Sequence, residues 1–275
     1  LAQLTSEPEA PVLRSKSTAL LESVAELKNF SAIKPLQAPP RFNATLRPYQ
    51  QEGLGWLQFL RRCHLGGILA DDMGLGKTVQ TLAHLALEKE AGRLTKPSLI
   101  VAPVSVIGNW QREIQQFAPH LKQLTLHGAR RKELFSSIRN VDVVITAYPL
   151  LQLDSEVLTA HEFYLVVMDE AQVIKNPRAK VSQAARALNA EHRLCLTGTP
   201  MENHLGELWS LIDFLQPGML GEERDFQRQY RTAIEKNNDR ERAASLSRRI
   251  APFVLRRTKD AVAPELPEKT PIIET

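Results

Sequence analysis

Between residues 66 and 198 the sequence returns six times to a short, almost unbroken apolar run: GGILA (66–70), SLIVAP (98–103), LKQLTLH (121–127), VDVVITA (141–147), FYLVVMDE (163–170) and HRLCLTG (192–198). A strand with one wet face alternates apolar and polar residues, whereas unalternating runs belong to strands covered on both sides, the condition of a parallel sheet. Segments of helical period lie between them, among them TVQTLAHLALEKE (78–90), SVIGNWQREIQQF (105–117) and AKVSQAARALNA (179–190). Strand, helix, strand, helix predicts a doubly wound α/β domain with a mostly parallel central sheet and helices on both faces. Such a sheet binds ligands beyond the carboxyl ends of its strands. That edge is where this sequence concentrates its unusual residues: Gly74 to Thr78 after the first run, Pro103 and Ser105 after the second, Thr146 in the fourth, Asp169-Glu170 closing the fifth and Thr197 in the sixth.

The stretch ADDMGLGKTVQT (70–81) is a candidate phosphate loop, although Asp71 stands where the simple G-x-x-x-x-G-K-[ST] pattern has its first glycine. A triphosphate needs inward-facing backbone N–H groups, a cation for the outer phosphates and a hydroxyl for Mg²⁺. Gly74 and Gly76 allow the tight backbone, Lys77 is the cation and Thr78 carries the hydroxyl. A glycine turn before Lys-Thr is a common accident alone; the strand before it and the helix after it are the context the motif requires. In VVMDEAQVIKNP (166–177) an apolar strand ends in Asp169 and Glu170. Phosphoryl-transfer sites need one carboxylate to hold Mg²⁺ and another to orient and deprotonate the attacking water. LRPYQQEGLGWL (46–57) offers Gln50, whose amide can pair with the N6/N7 edge of adenine; taken alone, the segment is a helix start with packing aromatics.

The order of these blocks resembles the SWI2/SNF2 family of ATP-dependent DNA translocases in helicase superfamily 2. LRPYQQEGLGWL, ILADDMGLGKTVQTLA, LIVAPVSVIGNWQREIQQFAP, VVITAYPLL, VVMDEAQVIKNP, LCLTGTPMENHLGELWSLIDFL and PFVLRRTKDAVAPELPEK carry the likeness from Leu46 to about Lys269, and the DEAQ form with short spacers resembles the bacterial branch. The resemblance implies a RecA-like first lobe over residues 42–218. It implies that Gln50 reads adenine and that Asp72, Met73, Gly74, Leu75, Gly76, Lys77 and Thr78 hold ATP. Thr78 and Asp169 would hold Mg²⁺, Glu170 would be the catalytic base beside Asp169 and Lys77, and Gln172, Thr197 and Thr199 would couple nucleotide state to DNA. Pro103, Ser105, Asn109, Trp110 and Thr146 fall in blocks that meet the DNA backbone, and phosphate contacts suit a motor indifferent to sequence. Many relatives carry His where this chain has Gln172, which leaves the role of that position open.

Residues 1–41 read as a polar linker with a short amphipathic helix over 18–30, residues 219–257 as an arginine-rich helical insertion, and residues 258–275 as a linker towards a second lobe. The insertion's charge is ordinarily a solvated surface; the alternative places some of Arg224, Arg228, Arg231, Arg248 and Arg249 on DNA phosphates. The net charge of +4 permits a polyanion partner without requiring one. Cys63 and Cys195 form no C-x-x-C pair, which suggests a reducing compartment, cytoplasmic and, for a bacterial chain, at the nucleoid. Every apolar run falls short of the roughly 20 residues a membrane helix needs. The chain begins with Leu, and no second lobe with its arginine fingers follows Lys269. The expectation is of a piece that binds ATP and hydrolyses it poorly, whose parent protein acts on duplex DNA and on complexes bound to it. Two other classes compete: a nucleotide-gated binding module, against which the retained Lys77, Asp169 and Glu170 argue, and the motor of a restriction enzyme or strand-separating helicase, against which NWQREI and ENHLGELWSLI argue.

Overall fold

The computed structural model describes residues 33–198 and 204–265; the expected helix over 18–30, Thr199 and the residues after 265 lie outside the described residues. Seven strands form one sheet: β1 (Gly67–Leu69), β2 (Ser98–Ala102), β3 (Gln123–Leu126), β4 (Val143–Ala147), β5 (Glu162–Asp169), β6 (Asn189–Leu196) and β7 (Val254–Leu255). Their order is β3-β4-β2-β5-β6-β1-β7, and every pairing is parallel. Between them run α1 (Pro48–Arg62), α2 (Lys77–Glu90), α3 (Ile107–Phe117), α4 (Tyr148–Leu153), α5 (Ser155–Thr159), α6 (Lys180–Arg186) and α7 (Leu205–Leu215).

The unbroken apolar runs divide by parity between two cores, because successive strand side chains point to opposite faces. Leu69, Ile100, Ile145, Val167 and Leu196 face one side with Leu54, Leu82 and Trp110 of α1, α2 and α3. Ile68, Val101, Val144, Met168 and Cys195 face the other with Leu151, Ala185 and Ile212 of α4, α6 and α7. Each such aliphatic side chain contributes roughly 1.5–3 kcal/mol relative to exposure, so both faces demand helical cover. This is the RecA-like α/β lobe expected from the sequence.

Three features depart from the sequence reading in detail. The helix expected over 179–190 stops at Arg186, because Asn189 and Ala190 already pair with Glu162 and Phe163 of β5. β3 is an edge strand, half-buried at Gln123, Leu124 and Thr125. The seventh strand comes from the stretch VLRRTKDAV: Val254 and Leu255 pair with Ile68 and Leu69, which puts the chain that follows beside the phosphate loop. Before it, α8 (Glu223–Phe226), a π turn (Gln227–Arg231), α9 (Thr232–Asn237) and α10 (Arg240–Ile250) form the helical appendage. Phe226 and Leu246 anchor it in the second core. Arg228 pairs with Asp225 at 3.1 Å and Arg231 with Glu235 at 3.0 Å, while Arg224 and Arg248 are exposed.

Candidate active site

The loop after β1 is shaped by two left-handed glycines, Gly74 at φ 86° and Gly76 at φ 79°, a region side chains disfavour. Gly76 is the N-cap of α2, and no side chain caps that helix, so its first N–H groups and its dipole are available to an anion. Lys77 Nζ rests on the Asp71 carbonyl at 2.7 Å. Asp71 itself is fully buried, its carboxylate paired with Arg257 at 2.5 Å. The carboxylate in the glycine slot therefore points into the protein, away from any phosphate. Asp72 is half-buried and turns its own carboxylate to the Lys259 N–H at 3.0 Å.

β5 brings Asp169 and Glu170 to the same edge. Asp169 Oδ2 accepts the Trp110 indole N–H at 2.8 Å and Oδ1 accepts the Glu170 N–H at 3.0 Å. Burial pushes the Asp169 carboxyl up, and the Glu170 charge adds to it against the opposing Trp110 bond; a cation nearby would favour the ionised form. Among the described residues no cluster of three or more His, Cys, Asp or Glu could hold a metal ion. Mg²⁺ takes one or two protein ligands together with phosphate oxygens, and Thr78 and Asp169 are the candidates here. Glu170 has a left-handed backbone, φ 50°, a conformation rare outside glycine that collects at functional sites.

A single open cavity of about 550 Å³ joins the pieces: Met73, Gly74, Gly76, Lys77 and Thr78 from the loop, Asn109 and Trp110 from α3, and Asp169 and Glu170 from β5. Next to it the Thr197 hydroxyl donates to Gln172 Oε1 at 3.0 Å, and Gln172 Nε2 donates to Glu170 Oε2 at 2.8 Å. The end of β6 is thus wired to the second carboxylate through the residue that replaces His.

Other expected positions lie elsewhere. Gln50 and Leu75 are buried behind the loop: Gln50 Nε2 donates to the Leu75 carbonyl at 3.3 Å and its Oε1 accepts from the Arg47 N–H at 3.0 Å. Pro103 caps the surface turn Val104–Val106 and Ser105, exposed, is its middle residue. Two of the residues expected on the DNA side are buried. Trp110 is 1% exposed with its N–H on Asp169, and Thr146 is fully buried with its hydroxyl on the Leu126 carbonyl at 3.2 Å, so neither offers a donor to a phosphate. Asn109 lines the cavity and donates to Glu113 at 2.6 Å. Glu113 faces the same cavity, and burial, reinforced by Asp169, pushes its carboxyl up despite that hydrogen bond.

Sequence reasoning missed Tyr148, whose hydroxyl donates to the Asp169 carbonyl at 2.7 Å, and the buried partner of Asp71. An acidic residue in a glycine slot at the end of a buried strand was itself a signal that some cation had to meet it.

The sequence matches the family described as SNF2-related domain over residues 49–275. It is 48% identical over 235 residues to the putative ATP-dependent helicase/translocase YwqA of Bacillus subtilis, covering 84% of this chain and 26% of that protein. It is 40% identical over 270 residues to the TATA-binding protein-associated factor MOT1 of Saccharomyces cerevisiae, covering 90% of this chain and 14% of that one. Among solved structures, the Sulfolobus solfataricus SWI2/SNF2 ATPase core in complex with dsDNA superposes with a TM-score of 0.78 at 39% identity, over 85% of this chain and 48% of that chain. The chain thus spans about a quarter or less of these two relatives and about half of the solved core.

Proposed function

Given that the chain belongs to the SNF2-related domain family of ATP-dependent motors, we propose that it is the first, ATP-binding lobe of a translocase that moves along duplex DNA and remodels protein–DNA complexes. The observation that supports this best is the meeting of the phosphate loop and the paired carboxylates in one cavity, with the hydrogen-bonded run from Glu170 through Gln172 to Thr197 leading away from it.

In this reading the α2 N-terminus and the loop amides hold the phosphates of ATP, and Lys77 leaves the Asp71 carbonyl to reach the outer ones. Thr78 and Asp169 would hold Mg²⁺, which would supply positive charge against the phosphates. Glu170 orients the attacking water and takes its proton, and Gln172 holds that carboxylate in register with β6. Gln50 reads adenine by exchanging its bond to Leu75, which at 3.3 Å is longer than a good N–H···O bond and cheap to give up. Thr199 and Thr197 report to the DNA side, Pro103 and Ser105 border it, and the helical appendage flanks it. A second RecA-like lobe of the parent chain closes the cavity and supplies arginine fingers, so the lobe alone binds ATP and turns it over slowly. Its place of work would be the DNA of a cytoplasm.

Triplex displacement tests motion: the full-length parent, with ATP, should strip a third strand from linear duplex DNA without separating the two strands of the duplex. Strand separation, or no displacement beside active ATP hydrolysis, would overturn the translocase reading.

A further inference from the structure

Arg257, two residues beyond β7, touches every element that this reading gives to the nucleotide's base side and phosphate side. Its backbone N–H and Nε donate to Asp71 Oδ1 at 3.1 and 3.0 Å, and Nη2 donates to Asp71 Oδ2 at 2.5 Å and to Gln80 Oε1 of α2 at 2.8 Å. Nη1 donates to the carbonyl of Tyr49, the residue before Gln50, and the guanidinium lies 5.2 Å from the Tyr49 ring centroid. Gln80 Nε2 in turn donates to Asp71 Oδ2 and the Gly76 carbonyl, both at 3.2 Å.

Two independent features belong to the same clasp. Gly53 on α1 sits flush against it: a methyl there would collide with Gln80 Oε1 and come within 3.0 Å of Arg257 Nη2. Tyr49, Leu75 and Val262 form a small buried cluster of their own, one residue each from the base-side helix, the phosphate loop and the segment after Arg257. Attraction in a buried ion pair is largely offset by desolvation, so its net stability is small, while a forked guanidinium fixes geometry closely.

We propose that Arg257 is a positioning residue for nucleobase selection: it locks Tyr49-Gln50 and the phosphate loop into one register, so that the Gln50 amide meets the adenine edge when the phosphates are seated. This rests on the reading of Gln50 as the adenine contact. Gln50 can donate to N7 and accept from N6–H of adenine, whereas guanine presents two acceptors along that edge. Correct register is therefore read out as preference for ATP over GTP, and inorganic tripolyphosphate, which has no base, is the control.

The test is calorimetric titration of the protein with ATP, GTP and tripolyphosphate, each with Mg²⁺, for wild type and Arg257→Lys. Lysine keeps a charge on Asp71 but cannot hold Tyr49 and Gln80 as well. The wild type should favour ATP over GTP by about tenfold; in Arg257→Lys that ratio should fall towards one, with tripolyphosphate weakened by a smaller factor than ATP. A retained ATP preference, or equal weakening of all three ligands, would overturn the inference. If Arg257→Lys does not melt cooperatively, Gly53→Ala displaces the same clasp and should lose the preference, and retention there counts equally against it. A wild type that binds ATP and GTP alike refutes the Gln50 assignment, and the inference falls with it.

Discussion

Trp110→Phe removes one N–H from the site and part of a ring from the core, a packing loss that the melting temperature registers separately. The indole is 1% exposed within the first core, and its Nε1 donates to Asp169 Oδ2 at 2.8 Å. Phenylalanine keeps part of the apolar contact but leaves that oxygen without its donor, so the carboxylate keeps the Glu170 N–H on Oδ1 alone of these two bonds. A hydrogen bond to a buried charged group contributes about 1.5–3 kcal/mol, which at about 1.4 kcal/mol per decade is roughly a 10- to 150-fold effect. Because Asp169 is the candidate Mg²⁺ ligand, the loss should appear in metal-dependent turnover. The assay is ATP hydrolysis by the full-length parent on saturating linear duplex DNA across a Mg²⁺ titration, with DNA binding and thermal melting measured on the same samples. Expected are a kcat/KM lower by one to two decades and a higher Mg²⁺ requirement, with DNA affinity changed less than about threefold. Unchanged Mg²⁺ dependence together with a large loss of DNA affinity would refute this reasoning and restore Trp110 as a DNA contact.

Gln172→Ala cuts the link between Thr197 and Glu170, two hydrogen bonds of 3.0 and 2.8 Å. Stimulation of hydrolysis by DNA should fall about tenfold while ATP affinity, by titration, stays within about threefold. If a second lobe of the parent supplies arginine fingers, the isolated lobe should turn over ATP on the order of 10³-fold or more below the full-length parent in the same assay. Acid should destabilise the lobe through a buried cluster that does not line the cavity. Burial drives the pKa of His84 from 6.5 down to about 4. Burial pushes Glu88 up, but hydrogen bonds from Arg93, Tyr164 and Gln58 and the charge at His84 outweigh it and hold its pKa at about 2, against 4.5. Both folded values lie below the unfolded ones, so the unfolded chain takes up protons first and stability falls with pH. The His84 part is lost between about pH 6.5 and 4 and is on the order of 3 kcal/mol; the Glu88 part is lost below about pH 4.5. Thermal melts should fall steadily from pH 7 to 4, and His84→Gln should flatten the upper part of that slope.

What the sequence made legible was whatever is local. Unalternating runs gave the covered strands such as β2, β4 and β5, because a strand buried on both faces has no polar phase, while the run at β3 marked a half-buried edge strand. The phosphate loop was readable from Gly74 and Gly76, whose left-handed backbone needs glycine, and the paired carboxylates from their place at a strand end. What stayed hidden depends on partners distant in sequence. Trp110 meets Asp169 59 positions away, and Arg257 meets Asp71 186 positions away. An indole or a guanidinium carries no sequence mark of which oxygen it will face. A two-residue strand such as β7 has too few residues to show a period. Thr146 was placed on the DNA side by the family resemblance of its block, which carries no information on where one side chain turns; here its hydroxyl donates inward to the Leu126 carbonyl.

Hydrolysis of ATP in the cavity, with Glu170 as base and DNA engaged, is the proposal on which the other expectations depend. Steady-state hydrolysis by the full-length parent, with and without linear duplex DNA, for wild type and Glu170→Gln, tests it most directly. The account predicts that DNA accelerates the wild type, and that Glu170→Gln still binds ATP but loses about 10²-fold or more of that turnover. A Glu170→Gln protein hydrolysing ATP at the wild-type rate, or a wild type indifferent to DNA, would contradict it.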